Sequence, residues 1–323
     1  MLTAYAGAYQ SNAAYVPLPE EENKATPSAP IREPGAPGST VAPKQTNSDE
    51  APVFAGGEVR FLADESGDRQ QLSALLKSAD GKLIVVDGGV AGDALHLLRA
   101  IKELGGTVDA WLITHPQADH AGALLEILEH HKDEIQIQNI YYHFLDFNWY
   151  EKVDPAECGL VWRLNEEFSK LPQEKQHPNM RRGDEVKLSD ALSFRVLNDP
   201  YIYEDAYAVN NSSLMYDVNL AGKHIIFLGD MGPKAGDALL AEGVFDGLTA
   251  DFVQMAHHGQ NGVSEAVYRK LAPKACIWPT PNWLYQALPD NISGFDTYQT
   301  RRWVKQLGIT ENYCTKDGDV VLH

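Results

Sequence analysis

The chain has 323 residues, of which 44% are hydrophobic and 22% are charged, a composition typical of a globular protein with a sizeable core. Its formal net charge of -18 at pH 7 argues against long DNA or RNA as a substrate, because a phosphate polyanion is repelled unless a basic groove is locally concentrated, and no segment is dense in Lys and Arg. The 3 cysteines are far apart, which argues against a disulfide framework or a thiolate zinc site, and no apolar run is long enough to span a bilayer.

The amino-terminal part differs in composition from the rest of the chain. Met1–Tyr15 is rich in Ala and Tyr but lacks the basic start of a secretory signal peptide. Val16–Pro52 is dominated by Pro, Glu, Ser, Thr, Asn and Gly, which predicts a disordered linker. We therefore expect a disordered tail over residues 1–55 and a folded domain over 56–323. Such a tether slightly favours an exported or surface-held protein over a cytoplasmic one.

Within the expected domain, strand and helix signals alternate, which is typical of an α/β protein. Apolar runs predict strands at Glu58–Leu62, Lys82–Val86, Val108–Thr114, Ile135–Tyr141, Glu185–Leu188, Leu192–Leu197, Ser213–Val218, Lys274–Trp278, Asn312–Thr315 and Asp319–Leu322, and in the runs that start at His224 and Asp251. Helical spacing predicts helices at Ala91–Leu104, Leu124–His131, Pro155–Leu171 and Thr297–Leu307, with a loop through Trp283–Tyr285.

Polar residues follow several of these strands. His115, Asp119 and His120 lie on a predicted loop after Val108–Thr114, the place where open α/β folds put ligand chemistry. Two imidazoles and a carboxylate there suit a metal, although an ordinary polar loop explains them equally well.

Other predicted strands also end in polar residues. Asp87 and Asp230 each end a strand, where a carboxylate also serves as a cap or turn residue. The pair His257 and His258 at a further strand end is harder to explain structurally, because a buried imidazole needs a partner.

Taken in order, the motifs are Asp-Gly-Gly, His-x-x-x-Asp-His, Asn-Asn-Ser-Ser, Gly-Asp-Met and His-His-Gly. Their combination resembles the metallo-β-lactamase superfamily, and within it the hydrolase domain of ComEC-type DNA-uptake proteins and their free-standing soluble relatives, over roughly Gly56–His323. The resemblance implies an αββα sandwich, with two mixed sheets face to face, helices outside, and a metal site at one edge.

The resemblance also implies roles for single residues. Asp119, His120, Asp230 and one residue of the His257–His258 pair, for which we favour His257, would hold one metal. His115, Gln117 and Asp230 would form a second half-site. Asp87, Asn210 and Asn211 would support the ligand loops without touching the metal.

Two of these positions depart from the family pattern. Gln117 stands where the family usually has a histidine. Asn210 and Asn211 stand where most members have a further histidine. An amide oxygen is a poor zinc ligand but suits harder ions such as Mn²⁺. We therefore expect a divalent metal, zinc or manganese, with one tight site and possible weaker binding at a second. A single metal and a site without catalysis are the alternatives.

The densest aromatic run follows the Ile135–Tyr141 strand. Its rings are expected either in the core or as a wall or lid over the site. The wall would consist of Phe144, Phe147, Trp149 and Tyr150.

The expected activity is hydrolysis of a small or short phosphodiester by metal-activated water, because the resembled branch is phosphodiesterase-like. In this hypothesis Asp119 and Asp230 bind the metal, and Asp230 also accepts a proton or positions the nucleophile. His258 or His115 protonates the leaving group or stabilises developing negative charge. Hydrolysis of a carboxylic ester, lactone or choline-phosphate ester, and a non-catalytic binding module with a degenerate site, are the alternatives. The expected partner is a small-molecule substrate, and the oligomeric state stays open.

Overall fold

The computed structural model describes residues 53–204, 207–289 and 295–323. The predicted linker, Val16–Pro52, lies outside the described residues. The backbone N–H of Val53 donates to the carbonyl of His323 at 2.9 Å, and the ring of Phe54 is fully buried against Phe252, with centroids 5.6 Å apart. The folded domain therefore includes Phe54, two residues before the start expected at residue 56.

The described residues form short strands and helices in alternation. The strands are β1 (Glu58–Phe61), β2 (Ser73–Lys77), β3 (Leu83–Asp87), β4 (Thr107–Val108), β5 (Ala110–Leu112), β6 (Gln136–Ile137), β7 (Ile140–Tyr141), β8 (Gln176–His177), β9 (Glu185–Lys187), β10 (Leu192–Val196), β11 (Tyr216–Leu220), β12 (Lys223–Phe227), β13 (Phe252–Gln254), β14 (Ala275–Trp278), β15 (Glu311–Cys314) and β16 (Val320–Leu322). The α-helices are α1 (Ala94–Glu103), α2 (Ala118–Glu126), α3 (Phe147–Val153), α4 (Cys158–Ser169), α5 (Ala208–Asn211), α6 (Pro233–Ala241), α7 (Glu265–Leu271), α8 (Asn282–Gln286) and α9 (Tyr298–Gln306).

Most of the strands belong to two sheets. The first has the order β16-β1-β2-β3-β5-β7-β8 and the second the order β15-β14-β13-β12-β11-β10-β9, while β4 and β6 pair separately. In the first sheet β3 and β5 are parallel, and in the second β12, β13 and β14 are parallel. Since parallel strands end at the same edge of a sheet, each sheet brings the C-terminal ends of several strands together.

Three hydrophobic layers explain the stacking of these elements. The inner layer lies between the sheets, where the ring of Phe61 stacks on that of Phe227 with centroids 5.8 Å apart. One outer layer packs α1, α2 and α4 on the first sheet, and another packs α6, α7 and α9 on the second. This is the expected αββα sandwich, with helices on both outer faces.

The segment predicted as a polar loop after the strand is in part a helix. After β5 the chain passes Pro116 and Gln117 in extended conformation, and α2 then begins at Ala118, so Asp119 and His120 lie in the first turn of a helix. Small residues allow this helix to approach the turn after β3 closely, since a Cβ on Gly122 would lie 2.8 Å from the backbone nitrogen of Ala91. The prediction of a loop for Asp119 and His120 was therefore wrong.

Other predicted elements differ in their bounds. The runs Val108–Thr114 and Ile135–Tyr141 each divide into two short strands, and Trp283–Tyr285 is helical in α8. The aromatic run contains α3, whose first turn is capped by Asp146 Oδ1, which accepts from the backbone N–H of Asn148 at 2.9 Å. None of the helices in the described part of the chain has the length and apolar character that crossing a bilayer requires.

Candidate metal centre

Asp87 fixes the orientation of His120. It is the last residue of β3, is fully buried, and has a left-handed φ of 58°. Its Oδ1 accepts from the backbone N–H of Thr114 at 2.7 Å, and its Oδ2 accepts from Thr114 Oγ1 at 2.8 Å. The same Oδ2 lies 2.7 Å from His120 Nδ1. A carboxylate only accepts, so His120 donates Nδ1–H and keeps a free lone pair on Nε2. This is the geometry that the predicted orienting role of Asp87 requires.

His258 is oriented in the same way by a backbone carbonyl. Its Nδ1 lies 3.0 Å from the carbonyl oxygen of Pro279, which again leaves Nε2 with the lone pair. His257 and His258 both have left-handed φ values, 51° and 54°, a costly conformation for residues with a Cβ. Gly259 continues the turn where no side chain fits, because a Cβ there would lie 2.7 Å from the ring of Trp278.

Four side chains from three separate segments converge at this edge of the sandwich. One ligand atom from each of Asp119, His120, Asp230 and His258 lies within 4.8 Å of all the others. His120 Nε2 is 3.2 Å from Asp230 Oδ1, and His258 Nε2 is 3.2 Å from Asp119 Oδ2 and 3.4 Å from Asp230 Oδ2. We call these four residues the carboxylate–imidazole cluster.

The cluster fits a divalent cation. Its His120 Nε2, Asp230 Oδ1 and His258 Nε2 are buried atoms without a hydrogen-bond partner. Unpaired buried polar atoms are costly, and here they face one another. Two imidazole nitrogens and two carboxylates are a donor set that suits Zn²⁺ or Mn²⁺.

The charges within the cluster shift the pKa values of its members. Burial by itself lowers the pKa of His258, but the negative charge of Asp230 and the contact with Asp119 raise it to about 9. Burial likewise opposes a positive charge on His120, yet Asp230, Asp119 and Asp87 raise its pKa well above the usual value. Burial raises and the nearby histidines lower the pKa of Asp230, which ends well below its ordinary value. Without a cation the rings therefore hold protons at neutral pH, and a bound cation must displace them.

The predicted second half-site is arranged differently. His115 is 2% exposed, and its Nε2 lies 2.9 Å from Gln117 Oε1. Its Nδ1 is 3.0 Å from Thr114 Oγ1 and 3.2 Å from Ser213 Oγ. Gln117 Nε2 donates to Asp154 Oδ2 at 3.1 Å. Burial, with the positive charge of His120, lowers the pKa of His115 to about 4. Both ring nitrogens of His115 thus face protein oxygens.

His257 was favoured from the sequence as the fourth ligand, but the geometry selects its neighbour. His257 Nε2 is 3.8 Å from Asp230 Oδ2 and 3.5 Å from Asn210 Nδ2, outside the carboxylate–imidazole cluster. Both residues lie in the left-handed turn, but only His258 Nε2 approaches both Asp119 Oδ2 and Asp230 Oδ2, and His258 therefore replaces His257 in the proposed ligand set.

Asn210 and Asn211 support the Asp230 loop. Asn210 Nδ2 lies 3.5 Å from Asp230 Oδ2. Asn211 Oδ1 accepts from the backbone N–H groups of Gly232 at 3.1 Å and Ala235 at 3.3 Å, at the start of α6. These contacts are those expected of residues that hold a ligand loop without binding the metal.

The aromatic run divides between core and surface. The ring of Phe144 packs 4.8 Å from that of Tyr142 in the layer between the first sheet and its helices, and Tyr150 is 1% exposed. Tyr150 is a core residue, so the prediction that it forms part of a substrate wall was wrong, whereas Phe144 is only partly buried and its role as a wall stays a prediction. Phe147 and Trp149 lie partly exposed on α3, and their role as a wall stays a prediction.

Sequence reasoning missed several residues that position the site. Gln254, buried in β13, accepts through Oε1 from the backbone N–H groups of Leu228 and Gly229 at 2.8 and 2.9 Å and so fixes the approach to Asp230. Ser213 Oγ accepts from the backbone N–H of Asp230 at 3.1 Å. The sequence did contain a signal for Gln254, because it is a polar residue within an apolar strand.

Residues 66–200 match the family described as the metallo-beta-lactamase superfamily. Over these residues the chain is similar to the metallo-β-lactamase superfamily. A segment of 180 residues is 28% identical to ComE operon protein 3 of Bacillus subtilis (strain 168); it covers 55% of this chain and 20% of that protein, so the match spans a fifth of the relative's length. The predicted resemblance to the superfamily and its ComEC-like branch is thereby confirmed.

Solved structures of low sequence identity resemble the fold of the chain. The metallo-beta-lactamase fold protein YhfI from Bacillus subtilis has a TM-score of 0.50 at 10% identity, covering 83% of this chain and 99% of YhfI. A mutant of CmlA beta-hydroxylase has a TM-score of 0.50 at 9% identity, covering 85% of this chain and 55% of that protein. These likenesses establish the fold, and the chemistry has to be argued from the site itself.

Proposed function

We propose that this protein is a metal-dependent hydrolase that cleaves a small or short phosphodiester. The proposal depends above all on the carboxylate–imidazole cluster, in which Nε2 of His120, Oδ1 of Asp230 and Nε2 of His258 face one another without a hydrogen-bond partner. The resemblance to the phosphodiesterase-like ComEC branch supports the bond type. The formal net charge of -18 supports a small substrate, since a long polyanion would be repelled.

Asp119, His120, Asp230 and His258 would hold a divalent ion, which when bound would supply hydroxide near neutral pH by lowering the pKa of water. The protein's part is to present the donors and to leave one side open. The side chain of Asp119 is 21% exposed, whereas those of Asp230 and His258 are 1% and 0% exposed. Substrate and water therefore approach from the Asp119 side, where its carboxylate accepts the proton of the attacking water.

The leaving group takes its proton from solvent on this open side. The expectation that His258 or His115 supplies it does not agree with the geometry, because His258 Nε2 faces the cluster and His115 is 2% exposed and hydrogen-bonded. The reaction therefore consumes water, breaks one P–O bond and releases a phosphomonoester and an alcohol.

The direct test is hydrolysis of bis(p-nitrophenyl) phosphate with Mn²⁺ or Zn²⁺. Asp119→Ala and His120→Ala should abolish metal-dependent turnover. His130→Ala is the matched control, since His130 belongs to another carboxylate–imidazole group, with Glu126 and Glu129, that is open to solvent. Unchanged turnover in both cluster variants would refute the proposal.

A substrate panel and a metal analysis separate the alternatives. The protein could turn over a carboxylic ester, a lactone or a choline-phosphate ester and not the phosphodiester. It would then still be a metal-dependent hydrolase, but with a different substrate. A protein that binds no metal and shows no metal-dependent change in melting temperature would instead be a binding module.

A further inference from the structure

A cavity of about 100 Å³ lies at the edge of the sandwich that carries the metal centre. Its lining comes from three loops, within residues 63–71 between β1 and β2, residues 279–282 after β14, and residues 315–318 between β15 and β16. One water needs only about 10–15 Å³ of such space, so the cavity has room for a group of several non-hydrogen atoms.

The strand directions explain why these loops meet at that edge. β1 and β3 are both antiparallel to β2, so β1 ends at the same edge as β3, whose last residue is Asp87. In the second sheet β14 is parallel to β13 and to β15, so the loops that follow β14 and β15 lie at the edge where β13 leads to His258.

Contacts link the lining of the cavity to the carboxylate–imidazole cluster. Gln70, the neighbour of the lining residue Arg69, donates through Nε2 to Asp119 Oδ2 at 3.3 Å. The carbonyl of Pro279, another lining residue, accepts from Nδ1 of His258 at 3.0 Å. The cavity therefore adjoins two members of the cluster, and one of them is Asp119, whose side chain is 21% exposed.

The side-chain acceptors of Asp64 and Gln71 in the lining already have donors. The Asp64 carboxylate accepts from Ser66 Oγ at 2.6 Å and from the backbone N–H of Arg69 at 2.8 Å. Gln71 Oε1 accepts from the backbone N–H of Val90 at 3.0 Å. Asp64 is the only acidic residue of the lining, and its negative charge is thus stabilised within its own loop.

The two cations of the lining are less well paired. The guanidinium of Arg69 is exposed and forms neither an ion pair nor a side-chain hydrogen bond with any residue in the described ranges. The ammonium of Lys316 contacts only the carboxylate of Asp317 as an ion pair, and that side chain is 64% exposed, so the pair contributes little. A ligand that brings negative charge and acceptor oxygens would satisfy both cations.

We propose that this cavity is a subsite for a second anionic group of the substrate, a carboxylate or a phosphate, which Arg69 and Lys316 bind while the phosphodiester lies at the carboxylate–imidazole cluster. Arg69 is the main specificity-determining residue, because a guanidinium binds either group through paired hydrogen bonds. One acidic group fits the room and the local charge, whereas a long polyanion meets the net charge of -18. This inference rests on the hydrolase function proposed above and specifies its substrate class.

The test compares phosphodiesters that differ in a single charge. A p-nitrophenyl alkyl phosphate with a terminal carboxylate is assayed beside the corresponding carboxamide, over a series of alkyl chain lengths, with the full chain loaded with Mn²⁺ or Zn²⁺. At the best chain length kcat/KM should be about tenfold higher for the carboxylate, mainly through a lower KM, as a hydrogen bond to a charged group provides. Because both compounds share the scissile bond, a loss of metal or of folding lowers both rates and leaves their ratio unchanged.

Variants assign the preference to the cavity. Arg69→Gln should lower the ratio, and Arg69→Gln combined with Lys316→Gln should abolish the preference. Arg269→Gln, at an exposed arginine of α7 that pairs with Glu265, is the matched control and should keep it. Turnover of both compounds without a preference at any chain length, or a preference that survives in the double variant, would overturn the subsite and leave the hydrolase standing.

Absence of turnover would separate the two proposals in another way. If neither compound is hydrolysed, the proposed function fails, and ligand-observed NMR then compares the binding of the carboxylate and the carboxamide. Preferred binding of the carboxylate that Arg69→Gln removes would support the anion subsite, and equal binding would overturn it. Inhibition by inorganic phosphate that Arg69→Gln weakens, without any preference between the two compounds, would mean that the cavity binds a free anion and would overturn its role in substrate binding.

Discussion

His258 and His115 are similarly buried rings beside His120, but their Nε2 atoms face different groups. A carbonyl accepts the Nδ1 proton of His258, whose Nε2 faces Asp119 and Asp230, whereas His115 Nε2 lies 2.9 Å from the neutral amide oxygen of Gln117. The pKa values diverge accordingly, to about 9 for His258 and about 4 for His115. The charges beside a buried imidazole, two carboxylates for His258 and mainly the neighbouring His120 for His115, therefore set the protonation of the ring.

Removal of the charge between the two ligand rings should have the largest effect. Asp230→Asn deprives His120 and His258 of the carboxylate that both approach, so metal affinity and turnover should fall by more than about 100-fold, beyond what loss of an outer hydrogen-bond partner causes. Chelator competition and phosphodiesterase assays measure this. Asp217→Asn, a buried carboxylate paired with Arg195, is the control and should retain metal affinity. Equal losses in both variants would point to general unfolding.

A change of pH should have the next largest effect, and it should distinguish His258 from His115. Below its pKa of about 9 the ring of His258 carries a proton that an ion must displace, so metal affinity should rise about tenfold per pH unit between pH 6 and 8 for each proton released. His115, with a pKa of about 4, contributes no proton in this range.

Titration at several pH values against a chelator of known affinity measures the slope. The raised pKa of His258 also stabilises the metal-free protein most fully below 6.5, and this contribution is lost as the pH rises through about 9. The metal-induced rise in melting temperature should therefore grow with pH. A flat affinity profile would contradict the assigned proton displacement.

Asp87→Asn should move the ring proton of His120 to the nitrogen that faces the cluster. An amide nitrogen in place of Oδ2 donates to His120 Nδ1, which moves the ring proton to Nε2 and blocks the lone pair. Loss of such an outer partner costs about 10–100-fold in metal affinity. Nitrogen-detected NMR of the ring should show the changed tautomer. An unchanged tautomer with weaker binding would mean that Asp87 acts through charge alone.

The sequence made the sandwich and the strand-end carboxylates predictable. Asp87 and Asp230 each follow an apolar run, and parallel pairing of β3 with β5 and of β12 with β13 brings such ends to common edges. The part of the site formed by residues at strand ends was therefore predictable from the sequence.

The remaining features depend on local backbone and on distant contacts. His257 and His258 are the same residue type, so the sequence does not indicate which of the two rings faces Asp119. The left-handed turn that contains them brings His258 to Asp119. Asp154 and Gln117 are in contact although they are 37 positions apart in the sequence. Asp154 follows helix α3, and the aromatic run in the sequence did not indicate that helix. Which histidines face the cluster is therefore decided by tertiary structure.

Gln70→Leu should have the smallest effect and tests how Asp119 is held. Gln70 Nε2 donates to Asp119 Oδ2 at 3.3 Å, and its Oε1 accepts from Gln260 Nε2 at 2.7 Å. A single partly exposed neutral donor contributes about 1 kcal/mol, so metal affinity should fall about 3–10-fold, with Gln173→Leu as the exposed control. Chelator competition measures the change. A loss as large as that of Asp230→Asn would mean that Asp119 cannot keep its ligand position without Gln70, and the cluster would then depend on this amide pair as strongly as on its own charges.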